Sequence, residues 1–335
     1  MAAKLKLTVL CGEYELVRAL REGRVKPKGI DLEFVHYPGT RDIHSLVARD
    51  QGADINEYNG GAYVMAKSQG RPFTALPVFL HRRFRHGFIF VNAKSGIEKP
   101  ADLTGKKIGS RTFTSAADFW MRGLLEDEYG VPQDAMNWFI QDRSEVSFKP
   151  VKGLKMKRIP KGRKIADMLV KGEVDAFMSP GVPKAIINKD RRVRRLFADH
   201  KATEMAYFER TGIFPIMHVT TIRGELVKKE PWIVESLTRA FEESKQYAFA
   251  RIANPRIVPL AWWRADWEEE RQCLGDDPWE FGLSEANQRN YGMLVDYVNR
   301  QGLSQRRMRL ENLFPKEAFE LKLPFRVKYR PDDNY

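Results

Sequence analysis

Several short stretches of this chain carry side chains able to hold a small anion and to move protons. His218 stands in Phe214-Pro-Ile-Met-His218-Val-Thr, an otherwise apolar segment. An imidazole there either completes a hydrogen bond in the core or works as acid or base, because its reference pKa of about 6.5 permits both roles near neutral pH. Arg85 and His86 close the charged run His81-Arg82-Arg83-Phe84-Arg85-His86 between two apolar stretches. That run reads as a solvated turn with an ion pair, or as a planar guanidinium fork for a carboxylate with an imidazole beside it. Glu57 ends Gly52-Ala-Asp-Ile-Asn-Glu57. Buried, it becomes a general acid, since desolvation raises a carboxyl pKa; otherwise it is a capping or ion-paired group. Arg111, Thr112, Thr114 and Ser115 directly precede a helical pattern, where hydroxyls and amides either cradle an anion or simply cap the helix. Phe113, Trp120, Tyr207 and Phe214 can flank a planar ring or fill the core.

The elements that must position these groups follow from periodicity. Residues 5–10 (LKLTVL) predict a strand, 14–22 an amphipathic helix and 30–37 (IDLEFVHY) a second strand, a βαβ beginning. A helix over 44–50, a short strand over 52–57, a helix over 60–68, and strands over 73–80 and 87–91 continue the alternation. A second unit starts near Pro100, with a strand over 105–109, the loop 110–115 (SRTFTS), a helix over 116–129, a helix over 164–171 and a strand over 174–179. The helix over 231–250 is the most regular segment, with Pro231 at its start, and 291–301 and 315–319 close the chain. Short strands alternating with helices predict an α/β fold with a mainly parallel sheet, in which ligand-binding residues come from strand-to-helix loops.

Composition narrows the partner. The 335 residues include 57 Lys plus Arg and 44 Asp plus Glu, a net charge of +13. The cations are dispersed and no nucleic-acid motif surrounds the local runs, so the field suits steering of a small anion better than binding of nucleic acid. No stretch approaches the roughly 20 apolar residues of a spanning helix, and Met1-Ala-Ala-Lys-Leu-Lys-Leu-Thr lacks an apolar signal-peptide region. The expectation is a cytoplasmic protein without membrane contact. Cys11 and Cys273 are too few for a disulfide framework or a zinc site. Trp262, Trp263 and Trp279 read as packing residues or as contacts of a homo-oligomer.

The elements Gly52-Ala-Asp-Ile-Asn-Glu57, Ala101-Asp-Leu-Thr-Gly-Lys-Lys-Ile-Gly109 and Gly172-Glu-Val-Asp-Ala176 look like recurring parts of the type II periplasmic-binding-protein fold. More closely, the chain resembles the 4,5-dihydroxyphthalate decarboxylase family nearly end to end. The likeness is carried by Pro77-Val-Phe79 with Arg82 and Phe84-Arg85-His86, by Arg122-Gly-Leu-Leu-Glu-Asp-Glu-Tyr-Gly130, by Arg210-Thr-Gly-Ile-Phe-Pro-Ile-Met-His218, and by Asp277-Pro-Trp279 with Gly282-Leu283. The stretch ending in His218 is the most specific. Two loops depart from the family pattern: Tyr58-Asn59-Gly60-Gly61 replaces a Ser-rich run, and Ser110-Arg111-Thr112-Phe113 replaces Pro-Glu-Tyr-Gln.

The resemblance implies two α/β lobes with a ligand cleft between them, one lobe formed by 1–112 and 215–335 and the other by 113–214. Cleft residues are then expected at Glu57, Tyr58, Asn59 and Gly60, at Arg85 and His86, at 110–115, at Ser179 to Val182, and from Arg210 to His218. It also implies decarboxylation of a hydroxylated aromatic carboxylate without a cofactor, the alternative being a solute-binding protein for an aromatic or other small anion. Decarboxylation needs electron density from a ring hydroxyl and a proton at the carbon that loses CO2. His218 and His86 are the acid and base in open order, and Glu57 is a further acid. Arg85, with Arg111, is expected to clamp a retained acidic group, since pairing with the departing carboxylate would stabilise the ground state alone. Phe113 or Phe214 forms the less polar wall. His81 and His86, five apart with no matching carboxylate, are a poor metal pair, and no metal is expected.

Overall fold

The structure is a computed structural model that describes residues 4–36, 40–254 and 256–327. Tyr37, at the end of the strand expected over 30–37, and the first three residues lie outside these. The chain begins with β1 (Leu5–Leu10), α1 (Glu15–Arg21), β2 (Ile30–Phe34), α2 (Thr40–Ala48), β3 (Ile55–Asn59), α3 (Gly60–Ser68) and β4 (Phe73–Leu76). It crosses into a second unit of β5 (Ile89–Asn92), β6 (Lys107–Ser110), α4 (Ala116–Tyr129), β7 (Asn137–Ile140), β8 (Lys155–Arg158), α5 (Ile165–Val170), β9 (Ala176–Met178), α6 (Lys184–Ile187), β10 (Val193–Arg195) and α7 (His200–Thr211). It then returns as β11 (His218–Arg223), followed by α8 (Gly224–Lys229), α9 (Trp232–Ile252), α10 (Trp263–Leu274), α11 (Glu285–Arg300) and α12 (Glu317–Glu320).

Two sheets result, with strand orders β2-β1-β3-β11-β4 and β10-β5-β9-β6-β7-β8. In the first, β1 runs parallel to β2 and β3, while β11 is antiparallel to both β3 and β4. Strand β3 is buried throughout, as a central strand covered on both faces must be. In the second, β5 is antiparallel to β9, and β6 is parallel to β7 and β9.

The strand pairing corrects the lobe boundary. Residues 1–112 were assigned to one lobe, yet β5 and β6 both hydrogen-bond within the second sheet. The division therefore falls in the crossing after β4, around residues 77–88. Likewise β3 runs two residues past Glu57, which places Tyr58 and Asn59 on the strand rather than in its loop.

The two crossings brace one another. Arg83 N–H donates to Pro215 O at 3.0 Å and Met217 N–H to His81 O at 2.8 Å. The buried Arg82 donates to Phe214 O at 3.3 Å, to Glu280 O at 2.8 Å and to Asn287 Oδ1. Gly282 N–H reaches Pro77 O at 2.8 Å, and the Trp279 ring meets Phe214 edge-on. Several residues that carry the family likeness, including Arg82, Trp279 and Gly282, thus build the hinge. Arg122 is likewise structural, donating to Gln301 Oε1 and Phe113 O with its guanidinium 3.9 Å from the Phe113 ring centroid.

Helix α4 also joins the lobes. Trp120 Nε1–H donates to Ile216 O at 2.8 Å, and a Cβ on Gly61 in α3 would lie 2.2 Å from the Phe119 ring. Only glycine permits that approach.

Candidate functional site

Strand β3 and the returning β11 set the chemistry. Their register pairs His218 with Asn59 and Thr220 with Glu57, so Glu57, Asn59, His218 and Thr220 share one face of the sheet. His218 Nδ1 lies 2.5 Å from Glu57 Oε1. The same oxygen accepts from Tyr14 OH at 2.5 Å, while Oε2 accepts the Gly12 N–H at 2.8 Å. Glu57 is 1% exposed and fully engaged by three donors. It is held as an acceptor for His218, in place of the proton-donor role expected for it.

The carboxylate fixes the His218 tautomer: Nδ1 carries the proton and the Nε2 lone pair is left for a ligand. Burial pushes the imidazole pKa down to about 3, with the positive charges of Arg85 and Arg83 acting in the same direction. The ring is a neutral base at pH 7.

His218 opens on a cavity of about 180 Å³ lined from both lobes, by His44, Asn59, His81, Arg85 and His218 on one side and Arg111, Thr112, Ser115, Glu145 and Pro180 on the other. Two histidine rings flank His218, each with its centroid 4.7 Å away: His44 at 90° and His81 at 72°. Burial is the chief cause that holds His44 down to about 3 and His81 down to about 2, with the charge of His218 second in each. Arg85, 3% exposed, reaches Pro180 O at 3.1 Å and Met217 Sδ at 2.8 Å. Burial, with Arg83, brings it down to about 9, still protonated at neutral pH. Among the described residues no carboxylate lies within 4.0 Å of it, so its charge is available to a bound anion.

The second lobe contributes a polar rim. Arg111 Nε is 3.4 Å from Asp142 Oδ2, Ser115 caps α4 by accepting the Asp118 N–H at 3.2 Å, and Thr114 O accepts from Asn59 Nδ2 at 2.8 Å. Asn59 also caps α3, accepting from Gly61 and Ala62 N–H at 3.1 Å.

The structure leaves other expected residues outside the cavity wall. His86 is buried among Phe197, Tyr207 and Tyr129, with Nδ1 3.9 Å from Glu204. The short helical turn His86–Phe88 aims it at α7, away from His218. Arg210 is exposed on α7 and paired with Glu128. Phe113 packs on Trp138 and Phe148, and Phe214 stacks on Phe84, so neither forms the apolar wall assigned to them. Tyr58 is buried against His44 and Phe73. Ser179 adjoins the lining Pro180 and accepts the Gly181 N–H at 3.4 Å.

The cleft in turn holds residues that sequence spacing had not assigned to it: His44, His81, Glu145 and, behind Glu57, Tyr14. Ligand atoms of His44, Glu57 and His218 lie within 4.8 Å of one another, a grouping able to hold a metal ion. Because Glu57 Oε1 and His218 Nδ1 share a hydrogen bond, a cation using both of those atoms has to displace that proton.

A family model described as NMT1/THI5 like matches residues 15–147. A 4,5-dihydroxyphthalate decarboxylase of Comamonas testosteroni is 32% identical over 327 residues, covering 95% of this chain and 98% of its own. A protein of the same name from Pseudomonas putida is 30% identical over 203 residues, 58% of this chain and 78% of its own. Among solved structures, the periplasmic aliphatic sulphonate binding protein SsuA of Escherichia coli superposes with a TM-score of 0.55 at 13% identity, covering 96% of this chain and all of its own. A sulfonate-binding SsuA of Methylobacillus flagellatus gives 0.55 at 16% identity over 95% and 94%. These two likenesses establish the fold, a two-lobed periplasmic-binding-protein-like architecture.

Proposed function

Because the chain belongs to the 4,5-dihydroxyphthalate decarboxylase family, we propose that it releases CO2 from a hydroxylated aromatic dicarboxylate of the dihydroxyphthalate kind. The observation that carries the reading is the Glu57–His218 pair opening on the same cavity as Arg85. A ring hydroxyl para to the departing carboxylate gives its proton to His218 Nε2, and Glu57 stabilises the imidazolium that forms. The oxygen's electrons raise the density at the para carbon, which takes up a proton from solvent. The bond to the carboxylate then breaks, CO2 leaves, its electron pair returns to the ring, and His218 gives its proton back to the phenolate oxygen. Arg85 holds the carboxylate that stays. The net change is one proton consumed and one CO2 released.

A soluble enzyme of aromatic degradation working in the cytoplasm completes the proposal. Its support is the free thiols of Cys11 and Cys273, which suit a reducing compartment, and the absence among the described residues of any helix long and apolar enough to cross a membrane. The test is incubation with a panel of phthalates, hydroxyphthalates and hydroxybenzoates, following CO2 and thermal shift together. CO2 from a hydroxyphthalate is the expected result. Thermal shift without CO2 would identify a binding protein, the role of the sulphonate-binding neighbours.

A further inference from the structure

We infer that His44 recognises a second ring hydroxyl beside the one that His218 engages, so that the cleft selects an aromatic ring with two adjacent hydroxyls. The inference rests on the proposed decarboxylase reading and adds the residue that reads the substrate's second oxygen. His44, like His218, has a carboxylate on its Nδ1 side, here at ion-pair rather than hydrogen-bond distance. Its Nδ1 faces a carboxylate, Glu145 of the second lobe, at 4.0 Å. Its Nε2 is buried without a hydrogen-bond partner, although the residue lines the cavity. A buried polar nitrogen left unmatched costs free energy, so a group that completes it gains more than a hydrogen bond in water.

The two rings meet at 90° with centroids 4.7 Å apart, so both border the same cavity without stacking on each other. Burial keeps His44 neutral, and a neutral ring with Nδ1–H toward Glu145 accepts at Nε2. The second hydroxyl thus meets an imidazole of the first lobe that faces a carboxylate of the second. His81 lacks this support: among the described residues no carboxylate lies within 4.0 Å of it.

The measurement is kcat/KM and Kd for 4,5-dihydroxyphthalate and 4-hydroxyphthalate with wild type and with His44→Phe and His44→Gln. Wild type should prefer the dihydroxy compound by about 100-fold or more, since a monohydroxy ligand leaves the imidazole unmatched. His44→Phe should reduce that preference to within about threefold while still releasing CO2. His44→Gln, which keeps an acceptor, should recover part of it. A His44→Phe variant that retains the preference overturns the inference, as does a wild type that takes both compounds equally, and the latter decides the matter even where the phenylalanine variant does not fold. Wild type that discriminates between the two ligands but releases no CO2 overturns the decarboxylase reading and leaves this one standing.

Discussion

Replacing Glu57 by glutamine tests the proposed base most directly, because an amide cannot reproduce the pattern of donors around it. Oε1 serves both His218 Nδ1 and Tyr14 OH, each at 2.5 Å, and Oε2 serves the Gly12 N–H at 2.8 Å. With its oxygen toward His218, the glutamine sets its NH2 against the Gly12 N–H, and two buried donors facing each other cost about 1–3 kcal/mol. With its NH2 toward His218, it donates to Nδ1, moves the ring proton to Nε2 and removes the lone pair facing the cavity. In the first orientation the imidazolium formed during turnover exchanges a carboxylate partner for a neutral amide oxygen, a loss of about 1–2 kcal/mol or roughly 5–30-fold in rate. In the second the base is lost, which is worth about 100-fold or more. Glu57→Gln is therefore expected to lower kcat by roughly 5- to 1000-fold in a folded protein, measured as CO2 release under saturating substrate. Since Glu57 acts through His218, the double variant Glu57→Gln/His218→Asn should be no slower than His218→Asn, itself about 100-fold or more below wild type. A single variant within threefold of wild type, or fully additive losses in the double, would refute the reasoning.

Three further outcomes follow from the same geometry. Arg85→Lys keeps the charge and loses the planar fork, so binding of a dicarboxylate should weaken by about 1–3 kcal/mol while an analogue lacking the retained acidic group binds both proteins alike, as calorimetry would show. Equal weakening of both ligands would make Arg85 a structural residue. The folded-state pKa values of His44, His81 and His218 lie below the unfolded value of about 6.5, so the folded chain binds fewer protons. Stability present above that pH is lost as pH falls, by up to about 1.4 kcal/mol per pH unit for each ring. Urea midpoints at pH 7.5 and 5.5 should fall accordingly, and less steeply in His44→Gln; a flat profile would contradict the assignment. Dialysis against EDTA should leave turnover intact. Loss that a divalent ion restores would point to His44, Glu57 and His218 as its ligands.

Much of the architecture is legible in the sequence because strand and helix periodicities are local. The helix begun at Pro231 and the strand at residues 5–10 are visible within their own windows. The lobe boundary is not, since β5 and β6 continue the same alternation of apolar stretches and nothing within them states which sheet they join. The site divides in the same way. His218 stands out as the one imidazole in a distinctive motif, and Arg85 beside His86 suggests a pair. Adjacent residues leave a tight turn in different directions, however, and only Arg85 faces the cleft. His44 and His81 reach His218 through the placement of β11 beside β3, a relation with no counterpart in sequence spacing.

The position of β11 also dictates the order in which the molecule is made. As the nascent chain leaves the ribosome, β3 and β4 emerge with nothing to hydrogen-bond between them, because the strand that fills that place is synthesised only after the whole second lobe. Until it arrives, the half-built first sheet presents two unpaired strand edges, the kind of surface that recruits other chains. Closing so long a loop places the insertion among the slow, non-local steps of folding. Glu57 and His218 meet only in that step, so competence for chemistry should appear with the last strand to dock, after most secondary structure has formed.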